Sequence, residues 1–316
     1  MQQCENADLG PFDWLDGRAL GQGEQDWALH ALALDHMLWR GHAANVLPRL
    51  HALLEQGPAI ERAAAGWVLA RWLNEEQEFV SAYRALMIYH RHPEGLVAVS
   101  HPGPFLLGIS LCIACGDLDG ARNLLEKGVE RFGHSPDFTL ARFQLARMRG
   151  EPLESLSVIL SSLHAPTGLA PIALSGSGET LFDMLACERE PLPESSDLPL
   201  VSVIIPVFNS EGVLSTALRG LLSQTWSNLD IIVVDDGSQD QSSAIARKAA
   251  TADRRIRVIQ LDRNQGAYPA RNEGFRQARG VFVTVHDADD WSHPQKIECQ
   301  ARCLLENPSA KASVSH

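Results

Sequence analysis

The acidic side chains that could do chemistry in this sequence gather where apolar runs end. Asp235 and Asp236 close the run DIIVVDD, and Asp287, Asp289 and Asp290 follow VFVTVH. Asp287 and Asp289 are one residue apart, so their oxygens can reach one small volume. Such oxygens suit a hard divalent cation, Mg2+ or Mn2+, which takes one or two carboxylates and fills its shell with phosphate. A cation held there neutralises charge developing on a leaving diphosphate. Arg271 offers the same phosphates a forked, permanently charged donor set. Asp236 can accept a hydrogen bond from the imide N–H of a base, and Phe208 offers an apolar contact to its ring. Gly237 and Gly266 permit backbone geometries that a Cβ would obstruct. Singly, each feature has a plainer reading: Asp-x-Asp as a solvated loop, Asp-Gly-Ser as a turn, Phe208 as core. The order in which they occur favours one site.

These groups need elements to position them. VSVIIPVF, DIIVVD, IRVIQL and VFVTVH are apolar almost throughout, as strands buried on both faces must be. Amphipathic stretches lie between them, at 212–223, 239–252 and 267–278, and Ser238 with Gln241 fits a capping box. Strand–helix–strand alternation implies right-handed crossovers and a mainly parallel sheet. In such a sheet ligands bind beyond the carboxyl ends of the strands, where the polar residues cluster here.

The sequence upstream follows a different pattern. Residues 1–163 read as an all-α domain: Val46, Leu47, Leu50, Leu53 and Leu54 repeat on one helix face, as do Val68, Leu69, Trp72 and Leu73. Breaks fall at Gly57-Pro58, His92-Pro93, Gly116-Asp117, Gly133 and Gly150. Gly116 and Gly150 are 34 residues apart (150 − 116) and each precedes an acidic residue; Leu124 and Leu125 fall opposite Val158 and Ile159 at that offset. This period resembles a tetratricopeptide-type helix pair. It leaves two readings open, a concave surface for a protein partner or for a substrate, or a plain helical bundle. Trp14, Trp27, Trp39, Trp67 and Trp72 read as core at helical spacing. Cys112 with Cys115, and Cys299 with Cys303, read as small core residues. Residues 164–199, rich in Pro, Gly and Ser, read as a linker with one small helix at Leu181–Leu185, and 200–316 as the α/β domain.

The bulk numbers bound the partners. A formal net charge of −12 and the lack of a basic stretch argue against nucleic acid or an anionic membrane as a nonspecific partner. The N-terminus has neither a basic n-region nor an apolar h-region, and no apolar run is long enough to span a bilayer. The expected compartment is the cytoplasm, with peripheral membrane association left open.

The downstream segment resembles the family 2 glycosyltransferases of GT-A fold. The residues that carry the resemblance are VSVIIPVFN (201–209), SQTWSNLDIIVVDDGSQD (223–240), NQGAYPARNEG (264–274) and HDADDWSHPQKIE (286–298). The resemblance implies a mainly parallel, Rossmann-like sheet, incomplete at its C-terminus. It implies a nucleotide-diphosphate sugar donor, preferably a UDP-sugar, a divalent metal (Mn2+ or Mg2+), and transfer with inversion. By position, Pro206, Val207, Phe208 and Asp236 line the base pocket and Arg271 approaches the diphosphate. Asp287 lies near the ribose or sugar, and Asp289 ligates the metal, with Asp287 and Asp290 as further ligands. His286 stands where an apolar residue is usual. The general base and the acceptor-binding half are expected beyond His316, and the acceptor is a saccharide, a lipid carrier or a protein. The alternative is a non-catalytic helical-repeat interaction protein with a vestigial or sensing nucleotide-sugar site. A nicotinamide dehydrogenase fits poorly, because the first strand ends in PVFN and not in a Gly-x-Gly-x-x-Gly turn.

Overall fold

The computed structural model describes residues 27–92, 99–164, 167–175, 178–187, 189, 192 and 198–314. Trp14 and the side chain of Trp27 lie outside the described residues, as does the break at Pro93. The chain forms two compact units, Met1–Pro152 and Leu153–His316.

Unit 1 is helical: α1 (Trp27–Leu38), α2 (Ala43–Gln56), α3 (Ala59–Glu75), α4 (Phe79–Arg91), α5 (Gly103–Ala114), α6 (Leu118–Phe132) and α7 (Pro136–Met148). Helices α1, α3, α5 and α7 end at a residue with positive φ: Gly41 (89°), Gln77 (62°), Gly116 (77°) and Gly150 (73°). The closing bonds recur. Asp117 N–H donates to the Cys112 carbonyl and Gly116 N–H to that of Ile113; Glu151 N–H donates to Ala146 and Gly150 N–H to Arg147. Glu78 and Gln77 repeat the pattern on Leu73 and Asn74, and His42 N–H reaches back to Met37. A left-handed residue closing a helix this way satisfies carbonyls that would otherwise be stranded. The 34-residue offset read from the two glycines is therefore also an offset between two identical turns. Asp117 then caps α6, accepting from Gly120 N–H at 2.9 Å.

Apolar packing in this unit follows chain order. One cluster joins α1–α4 through Leu38, Leu50, Leu69 and Leu86, and a second joins α5–α7 through Phe105, Ile109, Leu125 and Phe138. Trp67 is buried as expected, but Trp39 is 43% exposed. Its ring lies under the Arg71 guanidinium, and its indole N–H donates to Asp35, so it keeps a polar partner at the surface. Cys112 is buried, whereas Cys115 is exposed at the helix end, and Cys299 and Cys303 are exposed as well.

Unit 2 opens with α8 (Leu153–Ser161) and a short antiparallel ladder, β1 (Ala173–Leu174) with β2 (Leu185–Ala186). In the stretch read as a linker, Leu181–Leu185 is a turn running into β2 and not a helix. Asp183 accepts from Thr180 inside that turn, which ties the chain locally before a helix can form. Of the offset partners expected on α8, Ile159 is buried but Val158 is 69% exposed.

The main sheet is parallel, in the order β5-β4-β3-β6, from β3 (Val201–Val207), β4 (Leu229–Asp235), β5 (Ile256–Gln260) and β6 (Phe282–Val285). Helices α9 (Leu214–Leu222), α10 (Ser242–Ala252), α11 (Ala267–Gln277) and α12 (Lys296–Glu306) complete it. Alternating side chains divide the core: Val203, Ile205, Ile231 and Val233 lie in one cluster, Ile204, Ile232, Val234 and Ala270 in the other. Two expectations fail here. The capping box does not form, because Ser238 is used elsewhere and Gln241 begins α10 with no side-chain cap. Residues 312–316 also read from the sequence as the start of a further strand, but 312–314, the part described, are coil.

Candidate functional site

The order of strands reverses at β3, whose neighbours β4 and β6 belong to opposite directions of winding, so the gap beyond β3 is where a ligand fits. One residue widens that gap. His286 N–H donates to the Ile204 carbonyl and Asp236 N–H to the Val207 carbonyl, so even-numbered residues of β3 address β6 and odd-numbered ones address β4. Pro206 addresses β6 and has no N–H to donate. Pairing with β6 ends at Ile204↔Val285, while pairing with β4 continues to Val207↔Asp235. The strands part there.

Between them lies a cleft of ≈ 660 Å³. Pro206, Val207 and Phe208 line it from β3, Asp236 from the end of β4, Arg271 from α11, and Asp287 and Asp289 from the loop after β6. Asp290 is not among the lining residues; it is exposed, its N–H turned back to the Asp287 carbonyl. Asn209, Ser210, Val213 and Asn264 also line the cleft, Ser210 and Val213 without any signal in residue type or spacing.

The floor of the cleft is held by side chain to backbone bonds. Asn209 has φ 48° and donates its N–H to Ser238 Oγ at 3.0 Å, while its Oδ1 accepts from Gln239 N–H at 2.9 Å. Asn tolerates that conformation better than most residues. Ser238 N–H donates to Asp235 Oδ1 at 3.0 Å. Gly237, at φ 71°, brings this turn so close to Arg263 that a Cβ would lie 2.8 Å from its backbone. Asp236 grips the start of α11: Oδ1 accepts from Gln265 N–H at 2.9 Å and Oδ2 from Gly266 N–H at 2.7 Å. Each oxygen keeps a second lone pair, so this anchoring role leaves acceptor capacity toward the cleft.

Arg271 donates to Asp287 Oδ1 at 2.7 Å, and its guanidinium lies 5.6 Å from the centroid of the exposed Tyr268 ring. Its Nε is buried without a partner. Beside it His286 is buried. Burial pushes the imidazole below its usual pKa, against the backbone bond from Nδ1 to the Asp287 carbonyl at 2.8 Å. Because that carbonyl accepts, the proton sits on Nδ1, and Nε2 is a buried acceptor without a partner.

Among the described residues no three His, Cys, Asp or Glu side chains gather as a metal cage. The donor set nevertheless fits a divalent ion of the Mg2+ type, which binds one or two carboxylates and otherwise phosphate and water. Asp289 is exposed on the cleft and free to supply one; Asp287 is shared with Arg271.

The amino ends of the strands carry a different kind of charge. Burial alone would raise Asp230, but the forked Arg257 (2.7 and 2.9 Å) and Ser202 (2.9 Å) hold its carboxyl below the usual range. That cluster ties β3, β4 and β5 together and lies away from the cleft.

A parallel sheet that parts at its switch point, with an arginine and carboxylates facing the gap, defines a Rossmann-like domain of the GT-A type. Residues 202–314 match the model of Glycosyl transferase family 2. An uncharacterized glycosyltransferase of Haemophilus influenzae is 36% identical over 111 residues, covering 35% of this chain and 44% of that protein. Glycosyltransferase AglE of Haloferax volcanii is 41% identical over 106 residues, 33% of this chain and 35% of that protein. The chain therefore spans less than half the length of these relatives. Among solved structures, S. aureus TarS 1–349 in complex with UDP-GlcNAc is 32% identical over 34% of this chain and 32% of its own, with a TM-score of 0.33.

Proposed function

We propose that the α/β unit binds a nucleotide-diphosphate sugar, preferably a UDP-sugar, together with Mn2+ or Mg2+, and serves an inverting glycosyl transfer. The observation that carries this reading is the convergence of Asp236, Arg271, Asp287 and Asp289 on one cleft. Far apart in sequence, they supply the complementary groups a nucleoside diphosphate needs. The free lone pairs of Asp236 accept from the base, and the half-exposed Phe208 ring covers its face. Arg271 is already neutralised by Asp287, so diphosphate binding exchanges one anionic partner for another and does not strip a solvated cation. A divalent ion on Asp289 would supply Lewis-acid stabilisation of the departing diphosphate. Inversion calls for a general base on the acceptor side, acting on a hydroxyl of a saccharide, lipid carrier or protein.

The test is a thermal-shift and calorimetric panel of UDP, GDP and dTDP, each with and without Mn2+. Binding of UDP that strengthens with metal is the expected result. Asp289→Ala should remove most of the metal dependence, a loss of at least about tenfold in Mn2+ affinity, and leave metal-free UDP binding nearly unchanged. Equal indifference to all three nucleotides would reject the reading.

A further inference from the structure

The loop after Asp290, residues 291–295, is gripped from two sides. On the inner side Gln224 Nε2–H donates to the His293 carbonyl at 2.9 Å, and Gln224 Oε1 accepts from Ile297 N–H at 3.1 Å. On the outer side stands Ala170, from the stretch that precedes the sheet. Its N–H donates to Gln295 Oε1 at 2.9 Å, and its carbonyl accepts from His293 Nε2 at 2.9 Å. Gln295 N–H donates to His293 Nδ1 at 3.1 Å. Nδ1 therefore carries no proton and Nε2 carries one: the neutral ring is used at both nitrogens, as a bridge. His164 packs against it with centroids 4.9 Å apart. The same stretch is fixed to α9, where Thr216 Oγ1–H donates to Asp183 Oδ1 at 2.5 Å and Arg219 donates to the Asp183 carbonyl at 2.6 Å.

A free linker would leave these groups to water. We infer that the stretch around Ala170 is an outer brace for the carboxylate loop, and that His293 is a positioning residue which transmits its hold to Asp287 and Asp289. This rests on the donor-and-metal reading above. His293 acts through the backbone: with its ring bridge intact, the loop has one arrangement, and the two carboxylates leave β6 in one direction. Metal affinity is sensitive to such outer contacts because ligand placement, not ligand identity, is what they set.

The test uses the full chain and three measurements: affinity for UDP alone, affinity for Mn2+ in the presence of UDP, and amide hydrogen exchange at Gln295 and Ile297. His293→Phe keeps the ring contact with His164 and loses the bonds of both ring nitrogens, the 3.7 Å contact of Nε2 with Cys187 Sγ included. It should weaken Mn2+ about tenfold, leave UDP alone within about twofold, and speed exchange at both amides. His293→Gln, whose amide N–H can reach the Ala170 carbonyl, should restore most of the Mn2+ affinity. A folded His293→Phe protein with unchanged Mn2+ affinity overturns the inference. So does equal weakening of both ligands, which marks general damage, or failure of His293→Gln to rescue. Should His293→Phe not fold, Gln295→Met removes the acceptor for Ala170 N–H and carries the same comparison. A wild-type chain that takes up neither UDP nor Mn2+ sinks the donor-site reading; exchange at the two amides then decides the brace by itself, faster exchange supporting it and unchanged exchange overturning it.

Discussion

Both units divide their apolar core in two, but along different directions. In the helical unit the division mainly follows the chain: one cluster is built from α1–α4 with Leu111 of α5, the next from α5–α7 with Tyr83 and Met87 of α4 against it. In the α/β unit it runs across the sheet, and β3, β4 and β5 each contribute to both clusters at once. Damage to one helical hairpin is therefore felt by its neighbours, whereas damage to either face of the sheet reaches β3, β4 and β5. This suits the α/β unit to a site assembled from separated strand ends, since the strands that carry them share one packed sheet.

The sharpest way to break this comparison is to open a cavity in each unit. Trp226 is 1% exposed within the sheet core, and its indole N–H donates to the Pro199 carbonyl at 3.0 Å. Trp226→Ala should cost about 3–5 kcal/mol in equilibrium denaturation and raise hydrogen exchange along β3, β4 and β5 together. Phe138→Ala, a similar loss in the helical unit, should raise exchange on α5–α7 and spare α1–α4; uniform loosening of all seven helices would refute the contrast.

Next in size is an effect of pH in the helical unit. His90 lies among α4, α5 and α6, its Nε2 3.1 Å from the Pro104 carbonyl, and burial pushes its pKa down to about 4. The unfolded chain, near 6.5, binds the proton more readily. Stability is then full above about pH 6.5 and falls as pH drops toward 4, by up to about 3 kcal/mol for a shift of this size. Denaturation midpoints followed from pH 7 to 4 should lose much of their slope in His90→Phe; an unaltered slope would place the titration elsewhere.

The smallest effect sharpens the comparison of turns. Gln77 stands where Gly41, Gly116 and Gly150 stand, yet has a side chain at φ 62°. Gln77→Gly should stabilise by about 1 kcal/mol, because a Cβ in the left-handed region carries a steric cost that glycine avoids. A thermal melt that moves down would mean the Gln77 side chain compensates through contacts of its own.

The sheet was legible from sequence because strands buried on both faces leave uninterrupted apolar runs, as in DIIVVD. The cleft was legible for a related reason: a charged residue just past such a run, or an imino residue near its end, has few structural uses, and Asp236, Asp287 and Pro206 stand there. What stayed hidden depends on contacts distant in sequence. Nothing about Ser238 distinguishes a helix cap from a hydroxyl that accepts from Asn209. Gln224 reads as an ordinary helix-end residue until the 291–295 loop folds over it. The stretch before Leu200 has the composition of a linker because many of its bonds are made by backbone groups, such as those of Ala170 and the Asp183 carbonyl, which every residue possesses. Val158 and Trp39 mislead in the opposite sense, since apolar character marks what can be buried, not what is.

Pro206 separates two properties that are usually tangled. The opening between β3 and β6 comes from a missing main-chain donor, so its existence does not depend on which side chains face it. Side chains at Phe208 or Val213 can then be exchanged over generations to suit a different guest while the doorway stays open. Shape is inherited from the backbone; taste is written separately.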